Sequence, residues 1–207
     1  MKQLTIAEQL KLWPQFYKEF FNSELALPDI LCKTLVKHEG LWLCIVPSSI
    51  IKKELRAWQD PGEFSDLDVK IAKGIAGADI DLEYGRDELA LQDDYVMVFD
   101  STIAADPDRK NLSADQLSSI RCDCITLLES FLLFHFHAWQ GTELDNNTST
   151  LCAGTRIFVG YRSNRKEYVP YIHTRDGKVH INACTTSFHM NSLRPRVLCF
   201  GPERILF

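Results

Sequence analysis

The sequence predicts an α+β fold in which N-terminal helices and one long buried helix pack on a mainly antiparallel sheet whose strands are mostly C-terminal. Three observations carry this expectation. Capping signals and 3.6-residue apolar spacing fill most of residues 1–139, the period falls to two after Thr155, and an Asp-Gly pair at 176–177 separates two alternating runs. The chain has 207 residues, 45% of them apolar, which suits a single globular domain spanning 1–207.

The elements follow in order. Thr5-Ile6-Ala7-Glu8 has the form in which a hydroxyl and a carboxylate satisfy each other's backbone amides, so a helix starts at Thr5. Pro14 should kink it or begin a second helix to Phe21. Trp13, Phe16, Tyr17, Phe20 and Phe21 share one stripe, a core face or an aromatic contact surface. A helix from Pro28 to Glu39 should stop at Gly40. Leu41 to Val46, apolar on both parities, reads as a central strand, and Ser48 can cap a helix to Trp58.

Residues 60–94 form an acidic, loop-rich segment with a short helix expected from Ser65 to Ile75, and Tyr95 to Phe99 is a second buried strand. Ser113-Ala114-Asp115-Gln116 repeats the capping signal. No glycine or proline then interrupts the run to Trp139, so a helix from Ala114 to Trp139, about 39 Å long, is expected to lie at the centre of the fold. Residues 141–150 are a polar connector. Arg156 to Arg162, Tyr168 to Thr174, Lys178 to Phe188 and Arg196 to Phe200 read as an antiparallel meander.

Composition narrows the function classes. Seven cysteines at irregular spacings indicate a reduced, cytoplasmic chain, and the N-terminus lacks the unbroken apolar stretch of a secretory signal. The most apolar segment, Cys124 to Trp139, is shorter than the ~20 residues of a membrane span and carries Glu129, His135 and His137, so no membrane association is expected. Net charge is −5, but unevenly spread: residues 60–108 hold 14 acidic and 3 basic side chains, residues 154–207 hold 3 and 9.

The Asp176-Gly177 turn fixes a register, because a two-residue hairpin loop leaves only one pairing. Arg175 then faces Lys178, His173 faces His180 and Tyr171 faces Asn182, with Cys184 further along the same side. Ile172, Val179, Ile181 and Ala183 occupy the other, core-facing side. Facing imidazoles could accept protons or share a metal, so His173 and His180 are the candidate catalytic pair, with Tyr171, Asn182, Cys184 and Arg175 as binding neighbours. His173 and His180 are also the metal ligands if any metal binds, yet the sequence points to no third ligand and names no cofactor.

Other motifs carry less. Cys122-Asp123-Cys124 and His135-Phe136-His137 would point to opposite sides of a helix. Gly74-Ile75-Ala76-Gly77 has the form of a backbone-clamping RNA loop in acidic surroundings. Asp79-x-Asp81-x-Glu83 lacks the glycine and closing glutamate of a calcium loop. The reading that ranks first is a binding or regulatory protein engaging a macromolecular partner, a protein, through its acidic segment or aromatic stripe. A metal-assisted or general acid-base hydrolase centred on His173 and His180 is the alternative. The third is a nucleic-acid or phosphate-ligand binder using Arg156, Arg162, Arg165, Lys166 and Arg175 among Phe158, Tyr161, Tyr168 and Tyr171. The net acidity disfavours it.

Overall fold

The computed structural model describes residues 4–36, 40–59, 69–160 and 164–204. In chain order the first half runs α1 (Ile6–Phe21), α2 (Asp29–Leu35), β1 (Leu41–Val46), α3 (Ser48–Gln59), β2 (Val69–Ile71), β3 (Asp79–Ile80), α4 (Asp87–Gln92) and β4 (Tyr95–Asp100). The second half runs α5 (Ala114–Ser119), α6 (Leu127–Trp139), β5 (Ser149–Leu151), β6 (Ile157–Val159), β7 (Lys166–Arg175), β8 (Lys178–Cys184), β9 (Leu193–Pro195) and β10 (Leu198–Arg204). The fold is α+β, with mostly antiparallel strands gathered toward the C-terminus.

The Thr5 capping box forms as expected, but α1 then passes through Pro14 without a break. An interior proline costs about 3 kcal/mol, whereas fully burying one large apolar side chain returns about 1.5 to 3 kcal/mol. Trp13, Phe16 and Tyr17, on both sides of Pro14, are all completely buried, so packing outweighs the missing hydrogen bond. Four members of the aromatic stripe are core, and Phe20 is half-buried against them. α2 ends at Leu35, short of the expected Glu39, and residues 37–39 lie outside the described residues.

The strands make two sheets. In the first, β4 stands between β1 and β10, both antiparallel to it. β1 is therefore an edge strand rather than a central one. It reads as buried because α1 covers its edge. Gln9 Nε2 donates to the Leu41 carbonyl, Leu43 N–H donates to Gln9 Oε1, Trp13 Nε1 donates to the Leu43 carbonyl, and the Tyr17 hydroxyl donates to the Ile45 carbonyl. An exposed strand edge would otherwise offer these groups to another chain.

In the second sheet the order is β2-β8-β7-β5-β9, with β6 pairing along the N-terminal half of β7 and β3 beyond it. β6, β7 and β8 are the antiparallel meander the sequence predicts. The fourth expected strand, Arg196 to Phe200, is not part of it: the chain makes β9, parallel to β5, then crosses to the first sheet as β10. The expected helix from Ser65 to Ile75 is contradicted where it can be seen, since Val69–Ile71 is β2, paired in parallel with β8. Residues 60–68 lie outside the described residues.

The long central helix is two helices. α5 ends at Ser119, Arg121 takes a left-handed conformation with φ 52°, and α6 starts at Leu127 behind a third capping box. There the Thr126 hydroxyl accepts from the Glu129 N–H, and the Glu129 carboxylate accepts from the Thr126 N–H. α6 packs against both β1 and β7, and its buried Leu132, Leu133, Phe134 and Phe136 join the main core. α5 lies on the opposite face of the second sheet, where Ala114 and Leu117 cover Leu151, Val169 and Leu193 in a small satellite core.

Candidate functional site

At the hairpin tip Asp176 and Gly177 have φ 54° and 72°, as a two-residue turn of this hand requires. The register is the one the sequence predicts: Arg175 pairs with Lys178, His173 with His180 and Tyr171 with Asn182. Ile172, Val179 and Ile181 are buried on the core side. On the outer side the His173 and His180 rings stack at 5.2 Å between centroids with planes 11° apart. Tyr171 continues the row, 6.4 Å from His173 and tilted by 20°. β2 adds Lys70 opposite His180.

The outer face is not uniformly open. Tyr171 and Cys184 pack half-buried against the satellite core, and Cys184 Sγ donates to the Val169 carbonyl at 3.7 Å. They belong to a packing unit rather than a solvated surface. Asn182 is half-buried, whereas Arg175 is exposed, 3.8 Å from Asp176.

Both imidazoles are held below the ordinary histidine value. Burial is the first cause at His173, with His180 and Arg175 adding to it, and its Nδ1 is buried without a hydrogen-bond partner. Burial and then Lys70 depress His180. Neutral imidazole is the metal-binding form, but ligand lone pairs lie in the ring plane. Planes this close to parallel do not meet at one ion. Among the described residues no group of three or more His, Cys, Asp or Glu side chains could hold a metal ion.

Two concavities lie elsewhere. One, of about 150 Å³, is lined by Asp100, Thr102, Asp106, Arg109, Arg196 and Cys199 among others. The other, of about 170 Å³, lies between the Gly74–Gly77 turn and Phe158–Gly160. Both are below the ~300 Å³ at which small-molecule sites begin.

The strongest polar constellations in the molecule are ones the sequence reading missed. Arg86 donates Nε and Nη2 to the two oxygens of Glu129, 2.9 Å each, a second Nη2 bond to the Cys124 carbonyl, and Nη1 to Asp123. Glu129 also accepts from the Tyr95 hydroxyl at 2.8 Å. The Thr126-x-x-Glu129 capping signal was the available clue to this hub. Nearby, Asp87 is completely buried: Oδ2 accepts from the Thr155 hydroxyl at 2.6 Å, Oδ1 has no hydrogen-bond partner, and burial pushes its carboxyl up to about 7. Across the core, Asp145 pairs with Arg196, whose guanidinium also donates to the Thr102 and Ile103 carbonyls at 2.8 Å. These groups join loops to helices, and Arg196 also lines the concavity of about 150 Å³.

Two of the cations of the third reading, Arg156 and Arg165, are already engaged. Arg156 is buried, pairs with Glu167 at 2.9 Å and lies over the Tyr84 ring. Arg165 pairs with Asp79 and lies over Phe158. Lys166 is exposed, Tyr168 half-buried, and Tyr161 and Arg162 fall outside the described residues. Among the described residues no helix is long and apolar enough to cross a membrane. Comparison with protein-family models, with curated proteins and with solved structures returns no match.

Proposed function

We propose that this chain is a binding protein that engages a basic surface of another protein through its acidic segment. The observation that supports this reading is the way residues 78–88 are held. Trp58 Nε1 donates to the Ala78 carbonyl, Asp81 N–H donates to the Arg156 carbonyl, and β3 pairs with β6, so the backbone is anchored while Glu83 and Glu88 stay exposed, Asp79 being exposed but paired with Arg165. A fixed cluster of exposed carboxylates accelerates and orients encounter with a cationic surface without the ordering cost of a floppy tail. Burial of Trp13, Phe16, Tyr17 and Phe21 supports the acidic segment over the aromatic stripe as the contact.

The test is titration with a fluorescent oligo-lysine peptide at about 50 and 300 mM salt, over which the screening length falls from ~14 to ~6 Å. Binding that weakens with salt and is lost in the Glu83→Lys, Glu88→Lys double variant is expected. Equal binding by wild type and the double variant removes the reading.

General acid-base hydrolysis at His173 and His180 is the second reading, favoured by one observation: a half-buried, stacked pair of imidazoles beside Tyr171 and Asn182. Hydrolysis of activated esters or phosphate esters that disappears in His173→Ala and His180→Ala would support it. Activity unchanged in both would end it.

A further inference from the structure

We propose that Cys122 and Cys124 form a reversible oxidation site, a dithiol that closes to an intramolecular disulfide on reaction with hydrogen peroxide. Two residues apart on a helix they would face away from each other. The helix stops before them. α5 ends at Ser119, Arg121 turns left-handed, and the Cys122 N–H donates back to the Leu117 carbonyl at 3.0 Å. The chain thus doubles back at the first cysteine. Both side chains then meet the same satellite core, Cys124 within it and Cys122 packed against it, with the two thiols close enough to interact.

The surroundings hold this arrangement in place. The Asp123 carbonyl accepts from Leu198 N–H at 3.0 Å, Cys124 bridges to Val197, and Arg86 clamps both the Asp123 carboxylate and the Cys124 carbonyl. Arg86 and Arg109 lie near the thiols, but at Cys124 burial prevails and holds the thiol well above the usual cysteine value. Access divides the roles. Cys122 is half-buried and Cys124 buried, so Cys122 meets the oxidant. Its thiolate attacks one peroxide oxygen, the O–O bond breaks, and the product is Cys122 sulfenic acid plus hydroxide, which takes up a proton. The Cys124 sulfur then displaces the sulfenic oxygen. An S–S bond forms as the S–O bond breaks, and the departing hydroxide leaves as water with the Cys124 proton. Two thiols and one peroxide become one disulfide and two waters.

The remaining thiols differ. Cys44 donates to the Glu129 carbonyl and Cys152 contacts Ser130 inside the packed structure, Cys184 is half-buried and donates to the Val169 carbonyl, and Cys32 is half-buried on α2, far along the chain from any other cysteine. Cys199 is exposed and lies by Arg109 in the smaller concavity, which makes it the proper control.

The experiment treats the folded protein with hydrogen peroxide, quenches it, alkylates the remaining thiols under denaturing conditions, and reads intact and peptide masses. Wild type is expected to lose two alkylatable thiols with a mass fall of about 2 Da before alkylation, mapped to Cys122 and Cys124 and reversed by dithiothreitol. Cys122→Ser and Cys124→Ser should each abolish the disulfide. In Cys124→Ser the stranded sulfenic acid on Cys122 should react with dimedone. Cys199→Ser should match wild type. Cys124→Ala serves if serine in the satellite core prevents folding. The proposal fails if both thiols survive peroxide that oxidises Cys199, or if the disulfide persists in Cys122→Ser.

Discussion

The hydroxyl of Tyr17 reaches the carbonyl of Ile45 at 2.6 Å, the last rung of a ladder joining α1 to the free edge of β1. Gln9, Trp13 and Tyr17 are four residues apart, and their partners Leu41, Leu43 and Ile45 are two apart. Four helical residues advance about 6.0 Å and two strand residues about 6.6 Å, so a helix running along a strand can present one donor per outward carbonyl. The edge is closed by side chains instead of by another strand.

Tyr17→Phe keeps the ring and orphans a buried carbonyl, so it should cost about 1 to 3 kcal/mol in urea unfolding. Gln9→Leu removes partners from Leu41 and Leu43 together and should cost more. If both variants unfold like wild type, water rather than α1 satisfies the strand edge.

Glu129→Ala takes from the Arg86 guanidinium its completely buried partner and leaves it only the exposed Asp123 carboxylate. Loss of one partner of such a pair costs about 3 to 5 kcal/mol. Replacing both at once, Arg86→Met with Glu129→Leu, should be less damaging than Glu129→Ala alone. Chemical denaturation of the three proteins decides the point.

Stability should depend on pH through groups of opposite sign. Burial lowers His135 to about 4, and burial followed by Arg196 lowers His137 to about 3. The unfolded chain takes up their protons near 6.5, so the stability they contribute is intact above that value and falls as pH drops toward 4, by about 1.4 kcal/mol per unit for each histidine. Asp87 acts the other way. Its carboxyl rests at about 7 when folded, so stability falls as pH rises from the ordinary carboxylate value near 3.8 to about 7. Between 4 and 6.5 the two histidines outnumber the one aspartate, and acid is net destabilising. Asp87→Asn should gain roughly 2 to 4 kcal/mol relative to wild type between pH 5 and 8, and His135→Phe should flatten the acid limb. Equilibrium unfolding at several pH values reads both. An unaltered pH profile in Asp87→Asn would contradict the assignment.

Gly85→Ala should be far worse than Gly40→Ala, although φ is positive at both, 64° and 73°. A Cβ at Gly85 would overlap the Gly154 carbonyl, while nothing lies within 4 Å of one at Gly40. Backbone strain alone costs on the order of 1 kcal/mol, so thermal unfolding should separate the two clearly.

The hairpin carrying His173 and His180 was legible in the sequence because turn chemistry and period-two alternation act over neighbouring residues. The break before α6 was written there too, in Thr126 and Glu129, but the absence of glycine and proline masked it. What could not be read locally are the pairings between distant segments. Nothing near Glu129 announces Arg86, nothing in residues 198–204 tells them to leave the meander for β4, and three residues at Val69–Ile71 give too short a pattern to outvote a helix. The candidate pair was located, but the near-parallel setting of its rings is supplied only by the folded sheet.

The placement of β10 sets a schedule for making the protein. Phe99 on β4 pairs with Leu198, so one flank of the buried, apolar strand Tyr95–Asp100 has no partner until translation reaches the other end of the chain. At ordinary elongation speeds that is a wait of roughly 5 to 20 s on the ribosome. During that interval the nascent polypeptide carries a sticky half-sheet, and its yield in a cell should respond to chaperone supply and translation rate.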